Sequence, residues 1–207
     1  MQLRSKVRKV KHHAAIHYAE LPAFMAALRE QDDIAARALE FTILTVARRG
    51  ETLGAIDSEI REAERLWIIP GERMKAGREH RVPLSDCAAS ALQKAAELRN
   101  HASPYLFQDL SGKPLSMFAM ASVQKRMGRA DVTTHGFRST FRDWAAERTN
   151  YPSEAVEMAL AHVVSDKVEA AYRRGDLLEK RRRLMDEWAR YASSPAISGE
   201  VVSMRRA

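Results

Sequence analysis

Apolar residues recur at helical spacing near the start of the chain and predict two helices. Pro22 suits the first turn of the first of them. The side chain of Asp33 can cap a second helix, which the apolar spacing predicts from Ile34 to about Arg49. Gly50 can bend the chain after it. On this prediction, Arg48 lies at the end of an apolar helix.

The apolar pattern then changes from helical spacing to short runs. Leu66–Ile69 is closed by Pro70, and Arg81–Leu84 follows a polar stretch that contains Gly77. Two short apolar runs bounded by turn residues are typical of paired strands. We therefore predict a β-hairpin with a long connection.

Helical patterns dominate the remainder of the chain. Ser85 can cap the first of these helices, and proline at 152 separates two others. The predicted helices cover residues 85–98, 116–127, 135–148, 152–161, a segment through Tyr172, and 176–191. The fold class expected is α+β, mostly α-helical, with a small antiparallel sheet or hairpin.

The charge of the chain indicates a polyanionic partner. Its 207 residues include 34 lysines and arginines against 27 acidic residues, a net charge of +7 and a pI of about 9.7. Either a nucleic acid or an acidic membrane would fit this balance. No apolar run approaches the length of a membrane span and no signal peptide is recognisable, which favours nucleic acid over a membrane. The single cysteine, Cys87, favours a reducing, cytoplasmic location.

Cleavage of a phosphodiester without a metal requires a nucleophile, cations for the non-bridging oxygens and an acid for the leaving oxygen. Arginine suits the second task because its fork matches two phosphate oxygens. Arg48 and Glu51 are three residues apart, as are His135 and Arg138, so a helical turn would place each pair on one face.

The other candidates lie at an expected turn and near helix ends. Lys75 lies at the expected tip of the β-hairpin, where a flexible ammonium group can reach a ligand. His162 follows a helix end, and Tyr172 lies on the next predicted helix. A shift of the hairpin by two residues would bring another cation inward, so three alternatives to Lys75 stay open: Arg73, Arg78 and Arg81.

These residues stand in segments that resemble the sequence boxes of the tyrosine recombinases. The similarity is closest to the integrases of prophages and genomic islands, and it extends from about Tyr18 to about Tyr191. Five boxes occur in the family's order: Ala-Arg-Arg-Gly-Glu (47–51), the lysine-bearing hairpin (67–84), His-Gly-Phe-Arg-Ser-Thr-Phe-Arg (135–142), Leu-Ala-His (160–162) and Ala-Ala-Tyr-Arg-Arg (170–174).

The resemblance implies a tyrosine recombinase (DNA breaking-rejoining) catalytic fold and a role for each residue. Tyr172 would attack the scissile phosphate, form a 3′-phosphotyrosyl bond and release a 5′-hydroxyl. Arg48 and Arg138 would clamp the non-bridging oxygens, and Lys75 would protonate the leaving oxygen. The bond energy would be kept in the covalent intermediate, so that no ATP, metal or other cofactor is expected.

Three further residues would support these steps. His162 would donate a hydrogen bond to the phosphate, His135 would assist proton transfer from Tyr172, and Glu51 would support Arg48. The partners implied are double-stranded DNA and other integrase protomers, four of them in the family's recombination complex. No membrane partner is expected.

The domain organisation expected departs from the family's usual pattern. We expect a basic N-terminal tail over residues 1–17, a catalytic domain over 18–192 and a C-terminal tail over 193–207. The arm-binding and core-binding domains that usually precede the catalytic domain are not recognisable. An alternative function is therefore a truncated, non-catalytic DNA-binding remnant; a third is a basic helical adaptor for other proteins.

Two groups of basic residues have simpler interpretations. Arg49 can interact with the dipole of a helix end without any role in catalysis. The charged run 179–183 is expected to be a solvated helix face.

Overall fold

The computed structural model describes residues 14–162 and 175–195. In these ranges the chain forms eight α-helices and a three-stranded sheet. The helices are α1 (Leu21–Arg29), α2 (Ile34–Thr45), α3 (Arg49–Leu53), α4 (Asp86–Glu97), α5 (Ala119–Arg126), α6 (Gly136–Arg148), α7 (Ser153–Ala159) and α8 (Leu178–Ala192).

The sheet contains the predicted hairpin and one strand that the sequence pattern missed. Its antiparallel order is β1 (Ile60–Arg61), β2 (Leu66–Ile69) and β3 (His80–Pro83), with Ile69 paired to His80. The two residues of β1 are too few to form an alternating pattern. The expected mostly helical fold with a small antiparallel sheet is confirmed.

Helix α2 is the centre of the core. Residues 36–45 are all buried, and α2 contacts α1, α4, α5 and α8. The Phe41 ring lies 5.3 Å from that of Trp67, which joins α2 to the sheet. Two charged residues of α2 are also buried, and Arg37 and Glu40 form an ion pair of 3.0 Å. A helix covered on every side needs such pairing for its charged residues.

The last helix, α8, closes the core. Its Trp188 donates a hydrogen bond of 2.9 Å to the carbonyl of Ile43, and the Trp188 ring packs 5.2 Å from that of Phe141. The prediction that residues 179–183 form a solvated face is wrong for Arg181, whose side chain is only 1% exposed. The guanidinium group of Arg181 is therefore a buried cation of α8, and it bonds to the main chain of β3.

The second helix ends four residues earlier than predicted. Helix α2 stops at Thr45, Val46 takes a left-handed conformation with a φ of 50°, and Arg48 precedes α3 as its N-cap. The prediction that Arg48 ends an apolar helix is therefore wrong. The reason is tertiary, because the carbonyl of Val46 accepts a hydrogen bond from Arg138 of α6.

Most other helix ends differ from the predictions by one to three residues. The predicted segment through Tyr172 lies outside the described residues. Residues 14–17, within the expected tail, lie against α6: Ile16 is buried and its carbonyl accepts a hydrogen bond of 2.8 Å from Thr140. Over the described ranges, no helix has the length and apolar character needed to cross a membrane.

Candidate phosphate-binding site

Arg48 is held at the start of α3 by Glu51. The buried Glu51 carboxylate accepts hydrogen bonds of 2.7 Å from both the backbone N–H and the guanidinium group of Arg48. A second guanidinium nitrogen donates to the carbonyl of Ala161 at 3.1 Å. The Arg48 side chain remains 26% exposed. The predicted pairing of these two residues is confirmed, and it leaves a fixed cation that solvent can reach.

Arg138 is the more deeply buried of the two arginines. It extends inward from α6, where its guanidinium group donates to the carbonyls of Val46 and Leu160. The same group lies 3.2 Å from Nε2 of His162. Among the residues that the structure describes, no acceptor is found for the buried Nε of Arg138. One N–H of this arginine is therefore left without a partner among the described residues.

His162 is oriented by a residue that sequence reasoning missed. Its Nδ1 lies 2.5 Å from the carboxylate of Glu157, and its backbone N–H bonds to the carbonyl of Glu157 at 3.0 Å. A carboxylate at Nδ1 fixes the orientation of the ring. The two residues are five apart, and no helical spacing would have singled out Glu157.

The arrangement concentrates positive charge where two helices end. The carbonyls of Val46, Leu160 and Ala161 belong to the ends of α2 and α7, and they accept the bonds of both arginines. Burial and the neighbouring charge of Arg48 lower the pKa of Arg138 to about 10, so the Arg138 guanidinium group stays charged at neutral pH. An anion between them would relieve this repulsion.

His135 and Lys75 are both exposed. His135 lies immediately before α6, whereas Arg138, three residues later, is buried, so only Arg138 enters the interior. Lys75 lies in the connection between β2 and β3. Of the alternatives to Lys75, Arg73 is paired with Glu59 and Arg81 with Asp176. These two arginines are held in ion pairs, whereas Lys75 and Arg78 are both exposed in the connection, so Arg78 stays open as the alternative to Lys75.

Arg81, Asp176 and Arg181 join β3 to the start of α8. The Asp176 carboxylate accepts two hydrogen bonds from Arg81, of 2.6 and 2.9 Å, and one of 2.5 Å from Arg181. Arg181 also donates to the carbonyl of Arg81 at 2.5 Å. This network explains why Arg181 is buried, and it anchors the chain four residues after Tyr172.

Three other tyrosines are poorly suited to act as nucleophiles. A hydrogen bond to Glu147 raises the pKa of Tyr18, and burial raises that of Tyr191. Burial and a hydrogen bond to Glu187 raise the pKa of Tyr151 to about 12. Each phenol therefore keeps its proton at neutral pH more firmly than a free tyrosine does.

His80 lies within the hairpin box 67–84, but the sequence reasoning gave it no role. Burial lowers its pKa to about 4, and the charges of Arg181, Arg48 and Arg138 add to this effect. The ring is therefore neutral at physiological pH although it lies among three cations. Only the folded chain brings these residues together, since they belong to four separate elements.

Comparison with known proteins decides the family. The sequence profile of the phage integrase family matches residues 15–177, more than half of the chain. The chain belongs to this family. Prophage integrase IntA of Escherichia coli (strain K12) is 33% identical to it over 197 residues, which are 93% of this chain and 47% of that protein. This integrase chain thus spans about half the length of the curated relatives it matches.

Solved structures confirm the fold of this integrase chain. The Tn1549 transposon integrase in complex with a circular intermediate DNA is similar with a TM-score of 0.62 and 15% identity, over 87% of this chain and 68% of that one. The lambda integrase catalytic core gives a TM-score of 0.55 and 18% identity, over 74% of this chain and 94% of that one. The chain therefore has the tyrosine recombinase catalytic fold.

Sulfate is expected to stabilise the integrase chain through Arg48 and Arg138. At about 100 times its Kd, a ligand of the folded state adds about 2.7 kcal/mol, which corresponds to a rise in Tm of roughly 5–10 °C for a chain of this size. Thermal unfolding in sodium sulfate, compared with sodium chloride of equal ionic strength, measures this rise. Sulfate also stabilises folded proteins by a general salting-out effect, which the rise in Tm of Arg48→Gln measures. An equal rise in Tm in this variant and in the wild type would contradict anion binding at this site.

Proposed function

We propose that this chain is the catalytic domain of a site-specific tyrosine recombinase that cleaves and rejoins DNA strands through Tyr172, in the integration or excision of a mobile element. The observation that carries the proposal is the meeting of Arg48, Arg138 and His162 at one place. These residues come from three separate segments, and one N–H of Arg138 has no acceptor within the described ranges. A phosphodiester supplies the acceptor and the charge that this place lacks.

The two arginines would act on the phosphate in different ways. Arg138 is held by main-chain carbonyls, so its guanidinium group has little freedom to reorient. Arg48 is more exposed and is held by Glu51, so it can meet a phosphate from the solvent side. Donors fixed before substrate arrives need no reorganisation when negative charge develops on the non-bridging oxygens. His162, held by Glu157, would donate a third hydrogen bond there.

The reaction would exchange one phosphodiester for another of similar energy. The Tyr172 oxygen bonds to phosphorus, the bond to the 5′ oxygen breaks, and a 3′-phosphotyrosyl linkage and a free 5′-hydroxyl result. A free tyrosine has a pKa of about 10, so Tyr172 needs neighbouring cations or a base. We assign the transfer of its proton to His135 and the protonation of the leaving oxygen to Lys75, a residue in the connection between β2 and β3.

The proposal also covers the partners of the chain, its cofactor requirement and its location. Double-stranded DNA would be the substrate, and further protomers would complete a recombination complex. The arginines would supply the charge stabilisation that a metal ion provides in other phosphoryl transfers, so neither a metal nor ATP would be needed. The relatives are prophage and phage integrases, and we place this chain with the DNA of a bacterial cytoplasm.

A covalent adduct on nicked DNA tests the proposal. The substrate is a pool of duplexes that contain a randomised segment, with a nick in one strand a few nucleotides beyond it. Cleavage between the randomised segment and the nick releases a short strand, so the covalent intermediate is trapped. We expect an adduct that survives denaturing gels and forms equally in excess EDTA without nucleotide. Sequencing of the trapped strands then reports the preferred site.

Other outcomes would separate the alternatives. Salt-sensitive binding of duplex DNA without any adduct would favour the non-catalytic remnant, because phosphate contacts weaken steeply as salt rises. Little affinity for DNA at any salt concentration would favour the adaptor. An adduct that disappears in EDTA and returns with a divalent cation would contradict the metal-independent mechanism.

A further inference from the structure

The first described residues of the chain lie along the start of α6. The carbonyl of Ala14 accepts hydrogen bonds from the backbone N–H of Thr133, at 3.0 Å, and from its hydroxyl group, at 3.2 Å. Two residues later, the carbonyl of Ile16 accepts one of 2.8 Å from the hydroxyl group of Thr140, and the Ile16 side chain is buried. Residues 14–16, here called the entry segment, are therefore docked on α6.

Gly136, the first residue of α6, leaves no room for a side chain beneath the entry segment. A methyl carbon added to Gly136 would lie 2.1 Å from the carbonyl oxygen of Ala14 and 2.9 Å from Cα of Ala15. Such contacts are far inside van der Waals distance, so the entry segment or the start of α6 would have to move by about 1 Å or more. Glycine is the residue that permits two backbones to approach this closely. The docking of the entry segment therefore depends on the missing side chain at position 136.

The entry segment and the proposed phosphate site contact opposite faces of α6. A helical turn takes about 3.6 residues, so Gly136 and Thr140 share one face, whereas Arg138, midway between them, points away from it. From that other face the guanidinium group of Arg138 donates to the carbonyls of Val46 and Leu160. The first turn of α6 is therefore held between the entry segment and the site.

We propose that Gly136 is a positioning residue of the recombinase site. Its lack of a side chain lets the entry segment dock on α6, and this docking fixes the first turn of α6, with His135 and Arg138, relative to the phosphate. The inference rests on the proposed function, but it concerns where the two side chains are placed and not the chemistry they perform. Residues 14–16, which the sequence pattern assigned to a tail, thereby support the site.

Gly136→Ala tests this role in the full chain. We expect formation of the covalent adduct, measured in single turnover at saturating nicked DNA, to slow about 10²-fold, because a displacement of about 1 Å in a site can cost that much. The affinity for duplex DNA should stay within about twofold, since no charge is added or removed. Alanine is a better helix former than glycine, so a slower reaction cannot be ascribed to a weaker helix.

Amide hydrogen exchange, followed by nuclear magnetic resonance of the ¹⁵N-labelled full chain, measures whether the entry segment has moved. The N–H of Thr133 is bonded to Ala14 in the wild type, so it is expected to exchange at least about tenfold faster in Gly136→Ala. The N–H of Trp144, within α6, should exchange at the wild-type rate. Slower adduct formation with unchanged exchange at Thr133 would overturn the proposal, because the entry segment would have stayed in place.

Two further variants separate positioning from stability. Ala146→Gly weakens the same helix at an exposed position, so it should lower the Tm but form the adduct at close to the wild-type rate. Thr140→Val removes the hydrogen bond to Ile16 without adding a clash, and it should slow adduct formation about three- to tenfold, the effect of one lost hydrogen bond. Equal losses of rate in Ala146→Gly and Gly136→Ala would mean that Gly136 acts through stability alone, which contradicts the proposal.

The outcomes distinguish this inference from the proposed function. If the wild type forms no adduct, the proposed function is wrong and the role of Gly136 falls with it. If the wild type forms the adduct and Gly136→Ala forms it at the same rate, only the role of Gly136 is wrong. If Gly136→Ala does not fold, Thr140→Val decides, and a rate within about twofold of the wild type would then refute the positioning role.

Discussion

Replacing Tyr172 with phenylalanine is expected to abolish the covalent protein–DNA adduct and to leave the affinity for duplex DNA within about twofold. The substitution removes one oxygen and no charge, so the phosphate contacts, which dominate binding to DNA, are kept. In the proposed reaction, in contrast, the Tyr172 oxygen forms the protein–DNA bond, so the variant lacks the nucleophile. Denaturing gels of the trapped substrate measure the adduct, and a binding titration at fixed salt measures the affinity.

The chain contains its own controls for this substitution. Tyr151→Phe removes a phenol that is bonded to Glu187 at 2.9 Å, and Tyr18→Phe removes one bonded to Glu147 at 2.7 Å. Both variants should form the adduct at a rate close to that of the wild type. If Tyr172→Phe still forms the adduct and one of the two control variants does not, the assignment of Tyr172 as the nucleophile is wrong. The proposal that the chain is a recombinase would still stand.

Replacing Arg138 with lysine is expected to slow adduct formation by about 10²- to 10³-fold, the usual cost of one lost donor to a developing oxyanion. Lysine keeps the charge, so DNA affinity and its dependence on salt should change little. The ammonium group cannot reproduce the planar fork that bonds to the carbonyls of Val46 and Leu160 at once. Single-turnover rates on the nicked substrate measure the loss.

Arg37 provides a matched control for the structural role of a buried arginine. Like Arg138 it is almost fully buried, and it donates to main-chain carbonyls near a helix end, those of Leu28 at 3.1 Å and Gln31 at 2.9 Å. Arg37→Lys is therefore expected to cost a similar free energy of unfolding, about 1–3 kcal/mol, without a change in the cleavage rate. If both variants slow cleavage equally, Arg138 acts through stability alone and the clamp assignment fails.

Short-range patterns predicted the local structure well. The capping of α2 by Asp33 and of α4 by Ser85, and the pairing of Arg48 with Glu51, are confirmed. Each depends on residues three apart, and the backbone geometry of one helical turn determines such contacts. The order of the five boxes was also sufficient to identify the family, which the comparison confirms.

The errors arose where a distant residue determines a local conformation. The apolar spacing favours continuation of α2 to Arg49, but Arg138, 92 residues away, bonds to the carbonyl of Val46 at the helix end. Val46 is held there in a left-handed conformation that a β-branched residue rarely adopts. Such strain is tolerated at functional sites when surrounding bonds hold the backbone in place.

The sequence by itself determined the family and the mostly helical architecture, and it supplied the candidate site residues as a prediction, because these depend on residue types at short spacings and on the order of motifs. Only the tertiary structure decided that Glu157 orients His162, that Arg181 is buried against β3 and that burial lowers the pKa of His80. Those relations depend on distances between segments that are remote in the chain. Burial and neighbouring charge, which set the protonation of each group, exist only once the segments have packed together.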